Sequence, residues 1–289
     1  MKKSLASALL ACTLAASTQA MADKQTIAYL GPAGSWTHQA SIDLYGTDQN
    51  LLGMTREQWI EAYDQQKVDK LVVPIANAAV GLTHYLDDVL ALKQPLIVAE
   101  YPKMLSYDLM AKPGATFAQI TRVLAHPVAL TEVKPWLDTQ MPGVERVDVA
   151  SAGEAARQVA EGSADDVAAM GPHMATEVYG LVSLRDGIEK GPHNVTRWWV
   201  MGYTPAKPTG DDKTTLLVEV NDAGFNNVLK SLVESDIRVL DIYERPNLKT
   251  LDGHKYVIDV VGHAEVGQLK AYLHDHRNVR LLGSYPRRY

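Results

Sequence analysis

Cysteine is nearly absent from this sequence: Cys12 is the only one in 289 residues, and it falls in an N-terminal segment that reads as removable. Disulfides and thiolate chemistry are thereby excluded, so the core and interfaces alone must hold the fold. Basic runs are missing as well. The net charge is -6 and no basic cluster extends beyond Arg287-Arg288, which leaves no electrostatic footprint for nucleic acid. No apolar run approaches the roughly 20 residues that cross a bilayer. The nine histidines form no His-Glu-x-x-His pattern. His274 and His276 lie two apart on an expected helix and point to different faces, so no metal site is expected. What remains, 46% hydrophobic and 21% charged, is ordinary globular composition with ample material for a core.

The N-terminus carries Lys2-Lys3, an apolar run from Leu5 to Ala16, and then Ala20-Met21-Ala22. A charged start, a short apolar run and a small-x-small site describe a secretory signal peptide cleaved after Ala22. Leu9-Leu10-Ala11-Cys12 offers a lipoprotein box as the alternative. The expectation is a periplasmic protein with no membrane association once residues 1–22 are gone. Their removal takes two lysines and no acid, which makes the remainder more acidic.

From Gln25 onward, short apolar runs alternate with amphipathic stretches. The runs include Thr26 to Leu30, Lys70 to Ile75, Leu96 to Ala99, Arg122 to Ala125 and Val144 to Val149, an alternation that predicts α/β layers. Thr55-x-x-Gln58 and Ser151-x-x-Glu154 have capping-box spacing and predict helices after Thr55 and Ser151. Trp59, Trp136 and Tyr179 fall in amphipathic segments and read as core. Turn formers and charges between Gly202 and Asp212 mark a linker, 204–212. Beyond it the order strand (Thr214 to Val220), helix (Gly224 to Glu234), strand (Ile237 to Tyr243), strand (Lys255 to Val261), helix (Glu265 to His276), strand (Val279 to Leu282) is the ferredoxin-like βαββαβ. A module of this size buries a modest core and gains stability by pairing with a second copy, so a homodimer or homotetramer is expected.

Several stretches carry more specific information: Gly31-Pro32-Ala33-Gly34-Ser35-Trp36-Thr37-His38-Gln39-Ala40, Val73-Pro74-Ile75-Ala76-Asn77, His126-Pro127, Asn194-Val195-Thr196-Arg197-Trp198 and Leu282-Gly283-Ser284-Tyr285-Pro286. In order and spacing the chain resembles the prephenate dehydratase family, and its second part resembles an ACT regulatory module. The resemblance implies an α/β catalytic domain over 23–203, built of two lobes like a periplasmic binding protein, with the active site between them. Lobe one would be about 26–101 plus 190–203, lobe two about 102–189, and the ACT-like domain 213–289. It also implies a lyase of phenylalanine biosynthesis that converts prephenate, a small anionic substrate, to phenylpyruvate with loss of water and carbon dioxide, using no metal or organic cofactor.

Loss of the ring hydroxyl together with the carboxyl aromatises the ring, so the enzyme must mainly orient the substrate and help one hydroxyl leave. Thr196 matches the threonine to which the family assigns the proton donor. Alternation along a strand puts Thr196 and Trp198 on one face and Arg197 and Trp199 on the other. Arg197 is therefore either a structural ion-pair partner or, with a local bend, a carboxylate contact. The turn from Gly31 to Thr37 opens a helix and aims amides and hydroxyls at an anion. Gly34, Ser35, Thr37, Asn77, Ser151, Asn194 and Arg197 are the expected substrate contacts, with plain capping the other reading of Ser35, Thr37 and Ser151.

The sequence also departs from the family. Its Pro-Ile-Glu-Asn-Ser stretch stands here as Pro74-Ile75-Ala76-Asn77-Ala78, replacing a carboxylate and a hydroxyl expected beside the cleft by methyl groups, and Trp198 replaces a phenylalanine. Effector binding would fall on Gly224 and on Glu244, Arg245 and Pro246, where Phe225 is expected to project bulk. Two alternatives follow: a non-catalytic binding protein for an aromatic acid or amino acid, and a dehydratase for a related compound such as arogenate.

Overall fold

The computed structural model describes residues 24–247, 249 and 253–289; the expected signal peptide, with Cys12, lies outside the described residues. The first lobe runs β1 (Thr26–Leu30), α1 (Trp36–Tyr45), β2 (Asn50–Met54), α2 (Arg56–Asp64), β3 (Lys70–Asn77), β4 (Gly81–Leu82), α3 (Tyr85–Ala91) and β5 (Ile97–Met104). The second comprises β6 (Tyr107–Ala111), β7 (Arg122–Ala125), α4 (Pro127–Glu132), α5 (Lys134–Gln140), β8 (Glu145–Asp148), α6 (Ala152–Glu161), β9 (Val167–Gly171), α7 (Met174–Tyr179) and β10 (Val182–Ile188). β11 (Val195–Met201) returns to the first lobe. The third unit is β12 (Asp212–Asn221), α8 (Asp222–Glu234), β13 (Val239–Pro246), β14 (Gly253–Val261), α9 (Gly267–Asp275) and β15 (Val279–Pro286).

Three sheets result. The first has the order β2-β1-β3-β11-β5 with β4 beside β3, the second β10-β6-β9-β7-β8, and the third β13-β14-β12-β15. In the first, β1, β2 and β3 are parallel while β11 runs antiparallel to both neighbours. The chain leaves this sheet after β5 and rejoins it at β11, so two crossings connect the lobes. β5 pairs with β11 as far as Met104, opposite Val195. The expected lobe boundary at 101/102 thus falls inside a strand, because Pro102 gives up only its own N–H to the ladder.

Local signals explain the helix starts. Thr55 and Gln58 form a reciprocal capping box before α2. At α6 only half forms: the Ser151 hydroxyl accepts from the Glu154 amide, while the Glu154 carboxylate turns to Arg157, 2.7 Å away, a charged partner that a backbone N–H does not match.

Trp59 is fully buried in a core that spans two units: Leu71, Val73, Ile75, Trp199 and Met201 of the first sheet pack with Leu217, Val257, Leu282 and Tyr285 of the third. Gly283 lets β15 lie against β5, since a Cβ there would sit 2.0 Å from the Ile97 carbonyl oxygen. β15 runs on to Pro286, beyond the strand end expected at Leu282, because its ladder with β12 continues to Asp212, opposite Pro286. Trp136 is half-buried and meets Phe117 edge-on, with ring centroids 6.2 Å apart. Tyr179 packs, partly buried, against the core of the second lobe and also bridges the lobes, its hydroxyl donating to the Ala33 carbonyl at 2.8 Å.

Candidate active site

β3 and β11 meet where the lobes face each other, and their register sets Thr196 opposite Asn77. The Asn77 amide nitrogen donates to Thr196 Oγ1 at 2.9 Å, while Asn77 Oδ1 accepts from the Ala79 N–H at 2.8 Å. The second bond fixes which end of the amide faces the threonine. Thr196 Oγ1 already accepts, so its own proton is available to a ligand.

Both residues line an interlobe cavity of about 160 Å³ together with Ser35, Trp36, Thr37, Tyr107, Ser151 and Trp198. Among the described residues no Asp, Glu, Lys or Arg lines it. Its one imidazole, His126, is pulled down from the ordinary histidine range by burial, and its Nδ1 accepts from the Val128 N–H. Positive potential comes instead from two helix ends. Ser35 caps α1, accepting from the His38 N–H at 3.2 Å, and Ser151 caps α6 at 3.0 Å. These caps leave the Trp36, Thr37, Ala152 and Gly153 amides with no acceptor among the described residues. The two helix ends belong to opposite lobes and are pressed together: a Cβ on Gly153 would sit 2.4 Å from the Ala33 carbonyl oxygen. An anion in this cleft is met by dipoles from both sides.

The sequence-expected residues divide. Thr196, Asn77, Ser35, Thr37 and Ser151 come together around the cavity. Thr37 is partly engaged, its Oγ1 accepting from the Trp198 indole at 3.2 Å. Gly34 stands off the cavity in left-handed backbone, its N–H donating to His38 Nδ1 at 3.1 Å. Asn194 also stands off it. Its amide nitrogen donates to the Glu132 carboxylate at 3.0 and 3.2 Å.

Glu132 was invisible to sequence reasoning. It ends a six-residue helix with no periodic signal, yet it is only 5% exposed and accepts hydrogen bonds from Tyr107 and Asn194. Burial raises its carboxyl above the ordinary range, against the opposing pull of Tyr107 and Asn77. It ties the second lobe to Asn194, the residue directly before the strand that carries Thr196.

Arg197 is corrected. It is 5% exposed and points away from the cleft, toward the third sheet. Its Nε donates to Glu100 at 3.2 Å, one Nη to Tyr243 Oη at 2.6 Å and the other to Asp259. Lys213 donates to the same Glu100 oxygen at 3.0 Å, so two cations and two acids form one buried cluster. Burial pulls the Arg197 guanidinium down, and Asp259 with its neighbours pushes it up further, leaving it above its ordinary value. Strand alternation decided the matter: with Thr196 facing the cleft, Arg197 faces the other way. The methyl groups of Ala76 and Ala78 do the same. They line the Arg197 side rather than the cleft, so the missing carboxylate and hydroxyl are missing behind the site.

The expected effector residues are engaged within the chain. Gly224 N–H donates to Asn221 Oδ1 in the cap of α8, Glu244 meets His254 at 2.6 Å, and Arg245 pairs with Asp87 of α3. Pro246 ends β13. Phe225 does not project; it stacks on Tyr256, with centroids 3.6 Å apart. Among the described residues no three His, Cys, Asp or Glu come together as metal ligands.

The sequence profile described as prephenate dehydratase matches residues 27–206. A bifunctional chorismate mutase/prephenate dehydratase of Neisseria gonorrhoeae is 34% identical over 268 residues, covering 90% of this chain and 74% of that protein. A prephenate dehydratase of Mycolicibacterium gilvum is 34% identical over 281 residues and 90% of each chain. Among solved structures, prephenate dehydratase of Arthrobacter aurescens in complex with L-Phe superposes with a TM-score of 0.82 at 27% identity, covering 91% of this chain and 90% of that one. With a two-lobed α/β unit followed by a ferredoxin-like sheet, the chain belongs to the prephenate dehydratase family.

Proposed function

We propose that the interlobe cleft takes prephenate and expels its ring hydroxyl and ring carboxyl together. The supporting observation is the Thr196 hydroxyl, oriented by Asn77 and bordering a cavity whose only strong anion-binding groups are backbone amides. The amides of α1 and α6 take the two carboxylates, and the Thr196 O–H donates to the departing hydroxyl. The dianion and one proton give phenylpyruvate, water and carbon dioxide. Positioned donation contributes about 10²–10⁴-fold. Orientation between two lobes and fixed dipoles supply the remainder.

The same reading includes export through the N-terminal segment and assembly with further copies, for which Leu240, Ile242 and Leu281, exposed on the third sheet, supply apolar surface. The test is incubation of the protein with prephenate and, separately, arogenate, with products identified by mass. Phenylpyruvate from prephenate supports the reading. Thermal stabilisation by prephenate without turnover overturns it in favour of a binding protein, and turnover of arogenate alone moves the substrate.

A further inference from the structure

Behind the catalytic strands lies a second, larger cavity of about 600 Å³, between the first lobe and the third sheet. Its walls are mostly apolar side chains, among them Ala76, Leu82 and Pro102, with the rings of Tyr243 and Tyr289; among the described residues Arg197 is the one charged side chain on the lining. Ala76 and Ala78 keep this space open. Ala76 pairs in register with Arg197, so a longer side chain there would project beside the guanidinium. Small-molecule sites enclose roughly 300–1,000 Å³, with apolar walls and a few placed polar groups.

Arg197 has five N–H donors and makes three hydrogen bonds, to Glu100, Tyr243 and Asp259. The two acids do not line the cavity and have other donors as well: Lys213 and the Arg288 amide for Glu100, and Thr215 for Asp259. The lining therefore includes an anchored, 5% exposed cation with more donors than the three bonds use, beside two aromatic rings.

We propose that this rear cavity is a second binding site, separate from the cleft, for a small aromatic monocarboxylate. The ring lies against Leu82, Pro102 and the tyrosines, and the carboxylate accepts from the free N–H groups of Arg197. One carboxylate is matched and a second is not, since the chamber offers no other cation among the described residues. Asn77 borders both cavities, so an occupant here touches the residue that orients Thr196.

Phenylacetate is the probe, added to the full-length protein carrying methyl-labelled alanine. Saturable shifts of the Ala76 and Ala78 methyl resonances are expected, and phenylacetamide, equal in shape but uncharged, should bind about tenfold more weakly. Ala76→Phe fills the cavity from its rear wall and should abolish phenylacetate binding while keeping the circular dichroism and unfolding temperature of the parent. Leu82→Trp repeats the test from the neighbouring strand, where Leu82 pairs with Ala76. Shifts confined to cleft alanines such as Ala129 and Ala152, equal binding of acid and amide, undiminished binding by either folded variant, or no binding at millimolar probe each overturn the proposal. The readout is binding rather than turnover, so its failure is distinguishable from failure of the dehydratase reading.

Discussion

Thr196 and Arg197 are neighbours on one strand, and the two faces they occupy are built on opposite principles. In front, the cleft is lined, among the described residues, by no Asp, Glu, Lys or Arg and presents hydroxyls, amides and helix ends. Behind, Arg197, Lys213, Glu100 and Asp259 are buried together with every charge paired. A site that must admit and release an anion gains from dipoles that need no counter-ion when it is empty. A permanent joint between domains has no such constraint, and buried charges tolerate it only when each finds its partner.

The contrast can be broken at either face. The largest effect belongs to Thr196→Val, which keeps the shape and removes the donor: turnover of prephenate should fall about 10²–10⁴-fold with circular dichroism unchanged. Activity near that of the parent would take Thr196 out of the chemistry. Next is Asp259→Ala, which leaves the rear cluster with an excess cation. It should cost about 3–5 kcal/mol in urea denaturation, whereas a loss below about 1 kcal/mol would mean that water already reaches the cluster.

The smallest effect sharpens the comparison at the link between the lobes. Burial raises the Glu132 carboxyl, so the folded state holds that proton more tightly than the unfolded chain. The stability this contributes is fully present below the unfolded value and is lost as pH rises through the folded one. Glu132→Gln keeps an acceptor for Tyr107 and cannot ionise. Its unfolding temperature, followed from acid to neutral pH, should lose less than that of the parent, and parallel curves would refute the assignment.

Much of this architecture is legible in local pattern. The βαββαβ order, the helix starts at Thr55 and Ser151 and the two faces of the Thr196 strand follow from periodicities and caps that a few neighbouring residues specify. Thr196 and Asn77 were marked by motif. Glu132 carried no mark, because a carboxylate on a short helix looks solvated until a second lobe closes over it.

The sequence alone therefore determined the α/β alternation, the βαββαβ unit and the two faces of the Thr196 strand, since these depend on backbone geometry over a few residues. Only the tertiary structure decided that the face carrying Arg197 is a charged joint with the third sheet, that Ala76 and Ala78 open a space behind the site, and that β15 runs on to Pro286. Each of those outcomes depends on a partner far away in the chain, such as Asp259 for Arg197 or Asp212 for Pro286, and no local pattern encodes which distant surface will arrive.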